Sequence, residues 1–276
     1  MAATRREKVE RFRALHARPG AFVIPNPWDP GSARILAGLG FEALATTSSG
    51  FANALGRVDG QVTRDEALRH CRELSAATDL PVSADLERGF GDEPEVVAET
   101  IRLAGASGLA GGSIEDYTGE PARPIYELSL AIERVHAAAE AARAIGDGFV
   151  LTARAENLLR GVRDLDDTIR RLQAYERAGA DVLFAPGLST LDDVRLVTSA
   201  VGRPVNVLAS VFRSTTVAEL AAAGAKRISV GGSLARAAQS AVIRAATELR
   251  DAGTFTWMSG LATPADLARL LGSGSR

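Results

Sequence analysis

Acidic side chains mark the ends of two neighbouring predicted strands, and their types and spacing suit a hard divalent cation. Asp85 ends the predicted strand at 82–85 and Glu87 follows two residues later. Glu115 ends the next predicted strand. On an extended segment, Asp85 and Glu87 would point the same way. Carboxylates crowded together repel one another unless a cation neutralises them, and oxygen ligands suit Mg²⁺ or Mn²⁺. The alternative is helix capping by each acid, but their joint placement favours a metal site.

One arginine ends the otherwise apolar run FVLTAR at 149–154. The planar guanidinium of Arg154 matches a substrate carboxylate in geometry and charge. A buried ion pair with Glu156 or Glu115 is the structural alternative, and the sequence leaves both interpretations open.

Small polar residues follow the second apolar run. Ser48, Ser49 and Gly50 in the loop after that run offer two hydroxyls and a close backbone N–H to an anionic oxygen. The same tripeptide is also common in turns. These residues therefore become substrate-binding candidates only in combination with the acids and Arg154.

Short apolar runs alternate with longer helical runs, the pattern typical of a parallel sheet with crossover helices. Eight such units without a linker favour a single α/β domain over 1–276, a TIM (β/α)8 barrel of roughly the usual size. The segment 252–276 is a C-terminal extension with a helix at 264–271. Active sites of such barrels lie at the carboxyl ends of the strands. The predicted strands are 21–25, 42–46, 82–85, 109–115, 149–154, 181–185, 205–208 and 227–230, and the main predicted helices are 64–78, 94–106, 125–145, 164–178 and 233–251.

Composition excludes several other classes of function. The net charge of −2 gives no basic surface for nucleic acid. The single cysteine excludes an internal disulfide and thiolate-rich zinc sites, and no apolar run reaches membrane-spanning length, so we expect a cytoplasmic protein. Cys71 and the three histidines, at 16, 70 and 136, lie in helical stretches, so none is placed as a nucleophile or base at the barrel mouth.

In their order and spacing, these motifs resemble the isocitrate lyase/phosphoenolpyruvate mutase superfamily over about residues 21–257. The opening segment and the strand-end acids carry the resemblance together, whereas each motif alone is weak. The matching segments are PNPWD at 25–29, TSSG at 47–50, DG at 59–60, DLERGFG at 85–91, IED at 114–116 and ARAE at 153–156.

The resemblance implies a fold, a cofactor and a set of site residues. The implied fold is a barrel whose eighth helix is exchanged with a neighbouring subunit, giving dimers that pair into tetramers. Asp85 would bind Mg²⁺ directly, and its waters would be held by Asp59, Glu87 and Glu115. The implied substrate is a small carboxylate. The residues that would bind it are Ser48, Ser49, Gly50, Arg154 and Asn206.

The segment after the fourth predicted strand departs from the family. Lyase members carry a Lys-Lys-Cys-Gly-His loop there, whereas this chain has YTGEPAR at 117–123. The lysine and asparagine of the mutases are also missing. The sequence therefore resembles a branch that lacks the catalytic cysteine loop, and Tyr117 is the candidate proton donor, with a packing role as its alternative.

The leading prediction is a Mg²⁺-dependent lyase or decarboxylase that cleaves a C–C bond beside the carbonyl or hydroxyl of a small 2-oxo or 2-hydroxy (di)carboxylate, through an enolate. A phosphonopyruvate-type mutase or hydrolase that acts on a C–P bond is the first alternative. A metabolite-binding protein with little turnover is the second. An unrelated phosphate-binding barrel, based on Gly231-Gly232-Ser233 after the last strand, is the third.

Overall fold

A computed structural model of the chain describes residues 3–272. Eight parallel strands pair in the order β1-β8-β7-β6-β5-β4-β3-β2 and form a nearly closed barrel inside a layer of helices, which confirms the predicted fold. The strands are β1 (Phe22–Ile24), β2 (Leu44–Ala45), β3 (Val82–Asp85), β4 (Gly111–Glu115), β5 (Val150–Arg154), β6 (Val182–Phe184), β7 (Val205–Leu208) and β8 (Arg227–Ser229). The helices are α1 (Arg5–Ala17), α2 (Pro30–Gly38), α3 (Ser48–Ala54), α4 (Arg64–Ala77), α5 (Pro94–Ala106), α6 (Leu128–Ala144), α7 (Leu165–Ala178), α8 (Leu191–Ala200), α9 (Val217–Ala222), α10 (Ser233–Ala252) and α11 (Pro264–Gly272).

The helices begin at residues that satisfy their unpaired backbone N–H groups. Five of them start with a capping box, in which the N-cap side chain and the third helical residue bond each other's backbone. The N-cap residues of these helices are Thr4, Asp29, Thr63, Thr190 and Thr216. Local sequence thus fixes where α1, α2, α4, α8 and α9 begin.

Two segments differ from the sequence prediction. Ser48–Ala54 is a short helix, not a loop, because the Thr47 side chain accepts a hydrogen bond from the Gly50 N–H and caps it. The predicted helix at 125–145 begins only at Leu128, because Ile125 instead forms an antiparallel bridge with Tyr117. The segment after β4 is therefore a hydrogen-bonded hairpin.

Helix α1 closes the end of the barrel at which the strands begin. Val9, Phe12 and Leu15 are buried against apolar residues at the starts of the strands, among them Phe22 and Val150. Burial of such side chains contributes about 1.5–3 kcal/mol each. Because this end is filled, the cavity of the barrel opens at the carboxyl ends of the strands.

The barrel has a seam between β1 and β2, which share no ladder of paired residues. The seam is bridged by a backbone hydrogen bond from Ala45 to Pro25 and by Asn26, whose amide donates to the Thr46 carbonyl. The Asn26 Oδ1 atom also accepts from two backbone N–H groups just after β8. One side chain thus connects the two sides of the seam.

The last two helices lie outside the barrel wall. Ala235 is the only buried residue of α10, whereas Val242 and Ile243 are 68% and 65% exposed. The predicted C-terminal helix is present as α11 and contacts α2; positions 273–276 of the predicted extension lie outside the described residues. Within residues 3–272, no helix combines the length and apolar character needed to cross a membrane.

Candidate active site

A cavity of about 480 Å³ lies at the carboxyl ends of the strands. Nine of the ten residues proposed from the sequence line it, although they come from widely separated parts of the chain. These nine are Ser48, Ser49, Asp59, Asp85, Glu87, Glu115, Tyr117, Arg154 and Asn206. The tenth, Gly50, is buried behind the cavity wall, and its N–H already donates to Thr47.

Arg154 stands at the centre of a group of carboxylates. Its Nη1 atom lies 2.9 Å from Asp85 Oδ1, and its Nη2 atom lies 3.0 Å from Glu115 Oε2 and 2.7 Å from Glu156 Oε1. Burial opposes the charge of Arg154, but these carboxylates outweigh that effect and hold its pKa well above the usual value. The buried ion pairs with Glu115 and Glu156 that the sequence left open are therefore present, and Arg154 also lines the cavity.

Arg160 adds a second cation to this group. It lies 3.4 Å from Glu115 and 3.1 Å from Glu156, and its guanidinium stacks 3.6 Å from the ring centroid of Tyr117. Burial raises the pKa of Glu115, and the positive charges of Arg154 and Arg160 oppose that rise. The two arginines hold the carboxylates and the Tyr117 ring in fixed positions.

Asp85 and Glu87 do not share one extended segment, so that sequence prediction is wrong. The strand ends at Asp85, and Glu87 has a left-handed backbone with φ of 49°. Such a conformation is uncommon for a residue other than glycine. Both side chains nevertheless line the cavity, and the Glu87 N–H donates to Asp85 Oδ1 at 3.3 Å.

Negative charge is concentrated at this side of the cavity. Burial and the charges of Asp85 and Asp59 raise the pKa of Glu87 to about 7. No three acidic, histidine or cysteine side chains among residues 3–272 converge as a ready-made set of metal ligands. The donor set and its excess negative charge fit a divalent cation held by few protein atoms and several waters. Asp85 is the central acid of this set.

A second layer of buried polar residues supports the carboxylates from behind. Asp116 Oδ1 accepts from the backbone N–H of Glu156 at 2.7 Å. Asp116 Oδ2 accepts from the Tyr175 hydroxyl at 2.5 Å and from Arg171 at 3.2 Å. Because these groups are hydrogen-bonded in a low-dielectric interior, they fix the position of Glu156 and, through it, that of Arg154.

The opposite wall of the cavity, formed by β7 and β8, carries no acid among its lining residues. The Asn206 side chain donates to Ser229 Oγ and accepts from Arg227 Nε, each at 2.9 Å. The Gly231 N–H donates to Asn26, and the Ser233 N–H donates to the Val230 carbonyl. These bonds occupy two of the backbone N–H groups in the segment 231–233, on which the phosphate-binding alternative rests.

The single cysteine of the chain does not line the cavity. Cys71 is buried on α4, and burial raises the pKa of its thiol to about 12. A protonated thiol is a poor nucleophile at neutral pH. Cys71 packs in the core, as the sequence predicted.

Sequence reasoning missed two arginines of the cavity, Arg160 and Arg227. The position of Arg160 four residues after Glu156 was a usable signal, because residues i and i+4 pair in helical turns. Arg227 is the first residue of β8, whereas functional residues were predicted at the carboxyl ends of the strands.

Comparison with known proteins places the chain in a family. Residues 12–250 match the family model described as phosphoenolpyruvate phosphomutase. A solved structure from Burkholderia cenocepacia J2315, described provisionally as a lyase/mutase, is 57% identical with a TM-score of 0.93 and covers 96% of this chain and 95% of that one. A second structure from the same organism, described provisionally as a phosphonomutase, is 38% identical with a TM-score of 0.81 and covers 91% and 100%.

Among curated relatives, an oxaloacetate decarboxylase of Rhodopseudomonas palustris (strain HaA2) is 32% identical, over 74% of this chain and 70% of the relative. The comparisons confirm the predicted family and the prediction of an enzyme of its lyase type. The chain belongs to the phosphoenolpyruvate mutase/isocitrate lyase family.

Proposed function

We propose that the protein is a divalent-metal-dependent lyase that cleaves the C–C bond beside the carbonyl or hydroxyl of a small 2-oxo or 2-hydroxy (di)carboxylate. The observation that carries the proposal is that Arg154, which lines the cavity, lies among Asp85, Glu115 and Glu156. Cleavage of this bond leaves an enolate, and fixed positive charge stabilises an anion where it develops.

Asp85 would hold the metal directly, with Asp59, Glu87 and Glu115 on its waters. When bound, Mg²⁺ or Mn²⁺ supplies Lewis-acid stabilisation of negative charge on the substrate oxygens. Such a cation also offsets the repulsion that raises the pKa of Glu87.

The arginine at the centre of the site binds and orients the substrate. Three of the five N–H groups of Arg154 donate to carboxylates, which fixes the plane of the guanidinium. Because Nη2 also lies 3.0 Å from Glu115, the second N–H group of Nη1 is the one that binds the substrate carboxylate in this proposal. The Ser48 and Ser49 hydroxyls bind the same end of the substrate from α3, and Asn206 binds it from β7.

We propose Tyr117 as the residue that returns a proton to the enolate. Its ring lines the cavity and is held by Arg160 and by the bridge with Ile125. A Tyr117→Phe substitution keeps the ring and removes the hydroxyl. We expect it to lower kcat about 10²-fold with little change in KM, the usual size of a general-acid contribution. An unchanged kcat would assign Tyr117 to packing.

The direct test is product formation from a panel of acids, with Mg²⁺ and then with EDTA. The panel contains oxaloacetate, 2-methylisocitrate, 2,3-dimethylmalate and phosphonopyruvate, and the products followed are pyruvate, CO₂ and inorganic phosphate. Metal-dependent cleavage of a carboxylate supports the proposal. An Asp192→Asn variant is the matched control, because Asp192 is 86% exposed on α8.

C–P chemistry is the second candidate, favoured by the match to the phosphomutase family model and to the phosphonomutase structure. Phosphonopyruvate turnover, as released phosphate or as isomerisation to phosphoenolpyruvate, without cleavage of any carboxylate would establish it. Binding of oxalate with Mg²⁺, without turnover of any panel compound, would instead support the metabolite-binding alternative.

We also propose a homo-oligomer, a dimer or tetramer, in which α10 packs on a second copy of the chain. Val242, Ile243 and Leu249 are large apolar side chains left exposed on this helix. Exposed apolar surface of this kind is typical of subunit contacts. Light scattering that gives a single-chain mass at micromolar concentration would contradict this assembly.

A further inference from the structure

Arg134 is a fully buried arginine on α6 that does not line the cavity. Its partners are backbone carbonyls. The Nη1 atom donates to the carbonyls of Gly91, at 2.7 Å, and of Asp92, and the Nη2 atom donates to the carbonyl of Arg88. Burial lowers the pKa of Arg134, so the fold keeps its charge at a cost. One charged side chain thus holds the segment after Glu87 from inside the protein.

The backbone of this segment, 87–92, is unusual. Glu87 and Phe90 are the two residues other than glycine that have a positive φ within 3–272, with values of 49° and 61°. A left-handed conformation at such residues is uncommon and persists only where surrounding contacts determine it. The contacts of the 87–92 segment therefore decide whether Glu87 faces the cavity.

The hydrogen bonds of Arg134 lie next to both left-handed residues. The Arg88 carbonyl comes one residue after Glu87, and the Gly91 carbonyl comes one residue after Phe90. Each bond fixes the orientation of a peptide group that follows a left-handed residue. Because both donors belong to one planar guanidinium, the two positions are fixed relative to each other.

Arg134 is itself held in place by the residue that follows the hairpin after β4. Its guanidinium lies 4.3 Å from the ring centroid of Tyr126, a favourable cation–π contact. The Tyr126 hydroxyl donates to Asp92 Oδ1 at 2.5 Å, and Arg88 forms an ion pair with the same carboxylate. Fixed donors of this kind can set the position of the 87–92 segment.

We infer that Arg134 is a positioning residue, which holds the 87–92 segment so that the Glu87 carboxylate faces the cavity beside Asp85. Arg134 touches neither substrate nor metal and acts through Glu87. This inference rests on the proposed function, in which Glu87 holds waters of the metal. Loss of a group that orients metal ligands typically lowers metal affinity about 10- to 100-fold. Because Glu87 acts through water, we expect the lower end of that range.

The test compares four variants with the wild type. Arg134→Met keeps the length of the side chain and removes its donors, whereas Arg134→Lys keeps the charge without the planar fork. Glu87→Gln removes the carboxylate through which Arg134 acts. Val194→Ala controls for lost stability alone, because Val194 is fully buried on α8 and does not line the cavity.

The first measurement is calorimetric titration with Mg²⁺ of the folded proteins. We expect Arg134→Met to bind Mg²⁺ about 10-fold more weakly and Arg134→Lys about threefold more weakly, with Val194→Ala unchanged. In the Glu87→Gln background, Arg134→Met is expected to add less than about twofold, because the two residues act as one unit. The full 10-fold loss in that background would show that Arg134 does not act through Glu87 and would overturn the inference.

The second measurement is amide hydrogen exchange of the 87–92 segment without metal. We expect exchange about 10-fold faster in Arg134→Met, but not in Val194→Ala, because the lost bonds are local. Unchanged exchange or unchanged Mg²⁺ affinity in Arg134→Met would overturn the inference and leave the proposed function standing. No Mg²⁺ binding by the wild type would count against the proposed function, and exchange would still test the positioning. Should Arg134→Met fail to fold, Arg134→Lys decides by both measurements.

Discussion

Two arginines face the cavity from opposite walls, and their surroundings differ completely. Arg154 on β5 has three carboxylates within 3.0 Å, whereas Arg227 on β8 bonds, among residues 3–272, only the amide oxygen of Asn206. Carboxylates of the protein neutralise the charge of Arg154. No carboxylate of residues 3–272 forms an ion pair with Arg227. The difference separates a guanidinium held in place by three carboxylates from one held by a single hydrogen bond.

Removal of Arg154 is expected to have the largest effect on stability. Arg154→Met would leave Asp85, Glu115 and Glu156 crowded without their central cation, and loss of one partner of a buried pair costs about 3–5 kcal/mol. Arg227→Met removes a charge that has no ion pair among residues 3–272, and it also removes one hydrogen bond to Asn206. Because these two effects oppose each other, we expect its free energy of unfolding to change by less than about 1 kcal/mol. Urea denaturation without ligand measures both. Equal losses in the two variants would mean that Arg227 has an internal partner.

Loss of the central acid is expected to act on metal affinity more than on folding. We expect Asp85→Asn to weaken Mg²⁺ binding at least 100-fold, or about 2.7 kcal/mol, because the amide is neutral and nearly isosteric. Calorimetric titration with Mg²⁺ measures the effect, with Asp192→Asn as the surface control. Retention of wild-type affinity would remove Asp85 from the metal site and leave Arg154 as a purely structural ion-pair centre.

A smaller effect is expected when Arg227 is given a carboxylate partner, as Arg154 has. Asn206→Asp places a carboxylate where the amide oxygen already accepts from Arg227 Nε. We expect a gain of about 1 kcal/mol in the unfolding free energy of the ligand-free protein, since a hydrogen bond to a charged acceptor is stronger. Urea denaturation measures the effect, and a free energy of unfolding at or below that of the wild type would contradict it.

The acidic wall could be predicted from the sequence because its residues stand at the ends of strands. Asp85, Glu115 and Arg154 each follow an apolar run, and parallel strands bring such ends together. The conformation of Glu87 could not be predicted, since its positive φ depends on tertiary contacts and not on residue type. The helix at Ser48 was missed because its only local signal is the single cap residue Thr47.

Asn206 on the opposite wall was predicted, but Arg227 beside it was missed for a different physical reason. Neighbouring strands in a barrel are staggered, so the last residue of β5 and the first residue of β8 belong to one hydrogen-bonded row. A search for functional groups only at strand ends therefore passes over Arg227. The stagger is a property of the closed sheet and cannot be seen in the pattern of any one strand.

The seam between β1 and β2 has a consequence for local opening of the barrel. Its closure depends on one backbone hydrogen bond and on Asn26, which also lines the cavity. Amide hydrogens protected by few bonds exchange through low-energy local fluctuations. The N–H of Ala45 is therefore expected to exchange with deuterium sooner than the amides of β4 and β5, and a ligand that restrains Asn26 is expected to slow that exchange.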